Sequence, residues 1–397
     1  MKITSVKTIL ANRFLFVEIE TDEGIKGVGE GGAWAFQDSS REAVESFIPY
    51  LIGKDPLMIE HHWQYLYRSY HFRGAAIMGA LSAIDIALWD IAGKYFNCPV
   101  YQLLGGKVRD KARVYYHVGG GDIESMVKEL KKAKEKGFTA VGHLSPFLDE
   151  PRTEPFNEGT FARKIGDAVE RVGAYREAVG NDIDLCVEIH RRLNVPEAIA
   201  FARGIEQFNP FFLEDPTTPD NFDTMAYIAS RINIPVATGE RYHTPQEFAM
   251  IMKHDGAQYF RTDICLCGGI TGGKKIAAMA EANGIMVVPH NPLSPVSTAA
   301  CTQIAACIPN FALQEFPGDD RPSTTDRYIS HEFNHKEGDF RQGDVVKETI
   351  KCENGYLIIP TKPGIGVDLS ENIAERFPYK RRAIVTRLSV DGSVVDQ

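Results

Sequence analysis

Cysteine is scarce and unpaired in pattern: there are seven in 397 residues, odd in number and scattered. That excludes a disulfide-stapled secreted scaffold and leads us to expect a reducing cytoplasm. Cys265 and Cys267 form a C-x-C with no second pair nearby, and they read as small strand-end residues rather than zinc ligands. No apolar run approaches membrane-spanning length, and the first residues, Met1 to Lys7, alternate like a strand with no secretory stretch. Excess positive charge is missing too. A net charge of −9 argues against a nucleic-acid or anionic-membrane partner. No G-x-G-x-x-G opens a helix after a strand, which counts against a doubly wound open sheet. What remains has ordinary globular composition, 44% apolar and 24% charged, and enough length for more than one domain.

The pattern changes along the chain. Lys2–Leu10, Phe14–Glu20 and Ile25–Glu30 read as a strand meander, followed by helical stretches over Arg41–Ile52, Pro56–Tyr70 and Ala75–Phe96. The last is apolar on more than one side, as in a helix buried between neighbours. Strands followed by helices read as an α+β unit. From Ala112 the chain alternates. Eight candidate strands start at Ala112, Thr139, Ile183, Phe211, Pro235, Tyr259, Met286 and Ala312, with helical segments such as Ile123–Glu135 and Val195–Glu206 between them. Eight such units predict a β/α barrel. Gly119–Gly121 is either an anion-binding turn or a plain flexible one. The stretch Ser145–Glu158, rich in proline and acid, interrupts the rhythm where loops are commonly functional. Residues 318–356 read as a polar excursion, and Leu357–Leu369 and Tyr379–Val395 as strand-like segments returning to the first domain.

Three carboxylates recur at one interval: Glu188, Glu214 and Glu240 lie 26 residues apart, each closing an apolar run. Consecutive strand-helix units would set them side by side at the carboxyl ends of adjacent strands, where barrel enzymes keep their chemistry. Three clustered carboxylates repel unless a cation sits among them, and a divalent metal is the usual answer. The register continues through Asp263, His290 and Glu315, while His190 follows Glu188 by two residues, on the same side of an extended chain. An Asp beside a His fixes its tautomer and raises its basicity. Two histidines flanking a bound substrate can remove one proton and deliver another. Taken singly, each strand-end residue is ordinarily a solvated or structural group; the joint register is what singles them out. His117 and His143 end the first two barrel strands and stay open between pocket lining and structural use. His61, His62, His243, His254, His331 and His335 are expected in surface or loop positions.

At this point the chain resembles the enolase superfamily, in its mandelate-racemase-like branch. The resemblance rests on Gly27-x-Gly29-Glu30, Ala83-Ile84-Asp85-x-Ala87-Leu88-Trp89-Asp90, Phe212-Leu213-Glu214-Asp215-Pro216, Gly239-Glu240-Arg241, Gly268-Gly269-Ile270-Thr271 and Pro289-His290. Glu188-Ile189-His190 and the run from Pro289 to Pro295 are similar to the acid-sugar dehydratases, the galactonate dehydratases first. The resemblance implies an α+β capping domain (1–111), a modified (β/α)7β barrel (112–317) and a C-terminal segment (318–397) returning to the cap. It implies one Mg²⁺ on Glu188, Glu214 and Glu240. The activity implied is loss of water from an aldonate of the galactonate or gluconate type, giving a 2-keto-3-deoxy acid through an enediolate. His290, oriented by Asp263, would be the base and His190 the acid, with their roles exchangeable. Glu315 would contact the developing oxygen. Cap loops bearing Trp34, Phe36, His71, Phe72 and Arg73 would set specificity, Arg73 by pairing with substrate or in an interdomain salt bridge. Two departures stand out: Glu188 where relatives often carry Asp, and Gly142-His143-Leu144 where lysine-base relatives carry K-x-K and galactonate dehydratases a Lys and an Asn. The same His pair would also suit an epimerase or racemase, and a metal-stabilised barrel without catalysis is a third reading. A small-molecule substrate and a homo-oligomer are the expected partners.

Overall fold

The computed structural model describes residues 1–33, 35–147, 159–320, 340–381 and 386–395. Three antiparallel strands, β1 (Ile3–Ala11), β2 (Phe14–Thr21) and β3 (Lys26–Gly31), form the expected meander. Helices α1 (Gln37–Leu51) and α3 (Ala75–Tyr95) pack on it, and α2 (Ile59–Tyr67) packs on α3. At 21 residues, α3 is by length and composition able to cross a membrane, which corrects the expectation that no apolar run reaches that size. Its apolar faces are instead buried against β3, α1, α2 and a barrel helix. The approach to β3 is close: a Cβ added at Gly29 would stand 1.9 Å from the Ala83 carbonyl oxygen. Only glycine fits there.

After the short α4 (Val100–Leu103) the chain alternates. Strands β4 (Lys111–His117), β5 (Ala140–Leu144), β6 (Asp184–Glu188), β7 (Phe212–Glu214), β8 (Val236–Thr238), β9 (Tyr259–Phe260) and β10 (Met286–Val287) are parallel neighbours in chain order. Strand β11 (Gln314–Phe316) pairs in parallel with β4. The bridge Val287↔Phe311 and the Glu315 amide on the Pro289 carbonyl (3.3 Å) join it to β10, so the ring closes. Seven helices follow the first seven strands: α5 (Ile123–Glu135), α6 (Phe161–Val179), α7 (Val195–Ile205), α8 (Phe222–Ala229), α9 (Pro245–Lys253), α10 (Gly269–Ala282) and α11 (Pro295–Cys307). This is a (β/α)7β barrel under an α+β cap.

Local chemistry sets the helix starts. Asn194 with Glu197 and Thr244 with Glu247 form capping boxes, each with a proline in the first turn. Asp122 and Ser125 close the start of α5 in the same way, so the amides after Gly119–Gly121 already have a partner. Strand β9 is shorter than expected; its register resumes as the isolated bridge Asp263↔His290. The hairpin of β12 (Cys352–Glu353) and β13 (Tyr356–Ile358) pairs antiparallel with β4, while Asn12 exchanges backbone bonds with Phe377 and Lys380 after α12 (Ile373–Arg376). The C-terminal segment thus touches barrel and cap alike. All seven cysteines are free thiols.

Candidate active site

Glu188 and Glu214 are register partners on β6 and β7. Glu240 follows β8 by two residues, after Gly239 at φ +135, where a Cβ would meet the Phe248 ring at 2.7 Å. One oxygen from each carboxylate lies within 4.8 Å of the others. Glu214 is the most buried, and burial pushes its carboxyl well up, with Glu188 and Glu240 adding to the rise against Arg261. A group in that state is stabilised as an anion by an added positive charge. An all-carboxylate donor set, buried and mutually repelling, fits a hard divalent cation.

The two histidines stand at opposite ends of this row. His190 Nε2 lies 2.9 Å from Glu188 Oε1, and His290 Nε2 lies 3.3 Å from Glu240 Oε2. The chain at His190 is not extended as expected. His190 and Arg191 are both left-handed, at φ +52 and +65, so a turn rather than strand alternation brings the imidazole back to Glu188. His290 Nδ1 meets Asp263 Oδ2 at 2.9 Å, and the other Asp263 oxygen accepts the Cys265 amide at 2.8 Å. Burial lowers the His290 pKa, but Glu315, the Asp263 hydrogen bond and Glu240 outweigh it and lift it to about 10.

Two arginines that sequence reading passed over complete the charge pattern. Arg261 Nε donates to Glu214 at 2.6 Å, and its Nη2 reaches Glu315 and the Tyr115 hydroxyl. Arg191 Nη1 contacts Glu240 and lies 3.3 Å from Asp215 Oδ2. Arg261 precedes Asp263 by two residues, so strand alternation was a usable signal for it; Arg191 depends on the left-handed turn and had none. Glu315 has its oxygens engaged by His117 (2.6 Å), Arg261 and the Asn291 amide (2.9 Å). The expected contact with substrate therefore starts from a carboxylate that already has three protein donors.

His143 lies between His117 and His190, with ring centroids 5.1 and 4.9 Å away. Arg73 is not drawn to the cluster: its guanidinium covers the Tyr67 ring at 4.1 Å and donates to the Tyr67 carbonyl. Trp34 and the histidines at 331 and 335 lie outside the described residues, as does most of the Ser145–Glu158 stretch. His62 is buried rather than superficial, held by Tyr50 and the Asp55 carbonyl. His243 lies in a loop, as expected, and lines a cavity of about 710 Å³ between cap and barrel, together with Ala33, Phe36, Arg191, Glu240 and His290. The cavity opens the Glu240–His290 end of the row to a small molecule.

Residues 2–105 match the family model described as mandelate racemase / muconate lactonizing enzyme, N-terminal domain, and residues 125–373 match enolase C-terminal domain-like. D-galactonate dehydratase of Xanthomonas euvesicatoria is 36% identical over 402 residues, covering all of both chains. The Variovorax paradoxus D-galactonate dehydratase is likewise 36% identical over its full length. An enolase from Agrobacterium radiobacter, solved with sodium and L-malate bound, superposes with a TM-score of 0.88 at 28% identity over the whole of both chains. A member of the enolase superfamily from Salmonella Typhimurium gives 0.83 at 30% identity, over 95% of this chain and 98% of its own.

Proposed function

The chain belongs to the mandelate racemase / muconate lactonizing enzyme family of the enolase superfamily, and from that footing we propose that it is an acid-sugar dehydratase. The observation that carries the reading is the placement of two histidines at opposite ends of one carboxylate row, one of them buttressed by Asp263. The full-length likeness to D-galactonate dehydratases supports the choice of substrate class.

In this proposal Glu188, Glu214 and Glu240 hold Mg²⁺, which when bound supplies Lewis-acid stabilisation of negative charge on the substrate carboxylate. With a cation's charge on the row offsetting the Glu315 and Glu240 fields that raise its pKa, His290 would be neutral and take the proton beside that carboxylate through Nε2, while Asp263 holds Nδ1–H and fixes the tautomer. Electrons pass into the carboxylate to give an enediolate. Their return expels hydroxide from the neighbouring carbon, and His190 supplies the proton that makes it water. The enol then tautomerises to a 2-keto-3-deoxy acid. Glu315, with Arg261 and His117 on its oxygens, forms the substrate-facing floor. His143, beside His190, belongs to the specificity wall. An aldonate substrate, the division at 111 and 317, a cytoplasmic location and a homo-oligomer are parts of the same proposal.

Incubation with a library of acid sugars in D₂O tests it. Formation of 2-keto acids supports dehydration. Deuterium entering at carbon 2 with no keto product supports the epimerase reading and removes this one. No turnover of any acid sugar, together with proton exchange indifferent to His290→Asn, leaves the non-catalytic barrel.

A further inference from the structure

We propose that His143, Glu188 and His190 form a second cation site, for a divalent transition ion of the zinc class, sharing Glu188 with the carboxylate row. Ligand atoms of the three residues all lie within 4.8 Å of one another. His190 Nε2 is already 2.9 Å from Glu188 Oε1, and the His143 ring stands edge-on to the His190 ring at 4.9 Å. A tetrahedral ion with bonds of about 2.0–2.1 Å wants donors about 3.3 Å apart, within reach of side-chain rotation. His190 Nδ1 is buried with no hydrogen-bond partner among the described residues, so turning this ring breaks its contact with Glu188 and no bond at Nδ1.

The backbone aims these side chains. His143 is left-handed at φ +55, as His190 is at +52. The β5–β6 register breaks between Val141 and Leu144, the stretch that holds His143. Two non-glycine residues held in a sparsely populated region beside one carboxylate is the kind of strain found at binding sites. The donor sets also differ in kind. Three carboxylates suit a hard ion, whereas two imidazoles and one carboxylate suit zinc, cobalt or nickel. Glu188 has two oxygens and can serve both. Resting on the reading of His190 as proton donor, occupation of this site takes its imidazole out of proton transfer, and zinc inhibits.

The test is equilibrium dialysis of chelator-treated, full-length protein against Zn²⁺ in saturating Mg²⁺, with metal content measured directly. Retention of one zinc beside the magnesium is expected. His143→Asn removes one imidazole while asparagine tolerates the left-handed backbone; zinc affinity should fall at least about 10-fold, with magnesium affinity within about twofold. Zinc that enters only by displacing magnesium, or that binds the variant as tightly, overturns the site. Should the variant misfold, Co²⁺ added to the unsubstituted magnesium-loaded protein decides. Intense visible bands of a four-coordinate, nitrogen-ligated ion support the site, and the weak spectrum of six-coordinate oxygen ligation overturns it. Binding is read without substrate, so zinc that binds yet leaves turnover intact keeps the site and sinks only the role given to His190.

Discussion

His190 and His290 contact the first and last members of one carboxylate row, His190 on Glu188 and His290 on Glu240, so any molecule resting on that row lies between two imidazoles. They reach these places by different routes. His290 is carried by a strand-end bridge to Asp263, whereas His190 is folded back by a left-handed turn.

The middle of the row is the first place to test. Glu214→Gln removes the charge of the central donor and leaves Arg261, 2.6 Å away, facing a neutral amide in place of a carboxylate. Outer-shell changes at metal sites cost about 10–100-fold in affinity. Loss of a ligand should therefore weaken Mg²⁺ by more than about 100-fold in calorimetric titration. Wild-type affinity in this variant would falsify the ligand assignment.

Asp263→Asn is predicted to lower kcat by about 10³–10⁴-fold. The asparagine oxygen can keep the Cys265 amide, but its NH₂ would then donate to His290 Nδ1. The ring proton moves to Nε2, the nitrogen that should accept one from substrate. A Tm within a few degrees of wild type alongside the lost activity separates tautomer control from unfolding, and unchanged kcat would remove Asp263 from the mechanism.

Arg261 is 1% exposed and spans Glu214, Glu315 and Tyr115. Arg261→Met strands two buried carboxylates, and removing one partner of a buried ion pair costs about 3–5 kcal/mol. Chemical denaturation should show a loss of that size. A loss under about 1 kcal/mol would mean that the carboxylates find other partners.

Stability should fall with pH through a group outside the row. Glu30, fully buried on β3, accepts from Ser294 and Ser297 at the start of α11. Burial raises its pKa from 4.5 to about 7, with the Ser294 and Ser297 hydrogen bonds opposing. A raised carboxyl means that the folded state holds its proton more tightly than the unfolded chain. The contribution is therefore complete below pH 4.5 and lost as pH rises through about 7. Its size is about 3 kcal/mol. Glu30→Gln should abolish this share, so the stability difference between variant and wild type changes between pH 5 and 8. An equal difference at both pH values would show that the group is not titrating there. Asp85, raised to about 7 by burial, adds a parallel loss in the wild type and the variant alike.

Much of this was legible from pattern. The helix over Ile123–Glu135 has the bounds expected from the sequence, and Asp122 caps its start. By contrast, α11 is buried along its whole length, and a helix covered on every side carries no amphipathic period to detect. The strands β9 and β10 run for two residues each, shorter than their apolar runs, because ring closure rather than local propensity sets where pairing stops.

Spacing between strand ends settles which residues share the rim, since a repeated strand-helix unit returns the chain to one level each time. That is local information, carried by Glu188, Glu214, Glu240, Asp263 and His290. What each rim residue touches is not local. Arg261 on Glu315, Glu30 on Ser294 across 264 residues, and His143 beside His190 all require the ring closed, the cap docked and two left-handed turns in place. Side-chain contact follows from packing and backbone sign, and neither is written in the spacing of the chain.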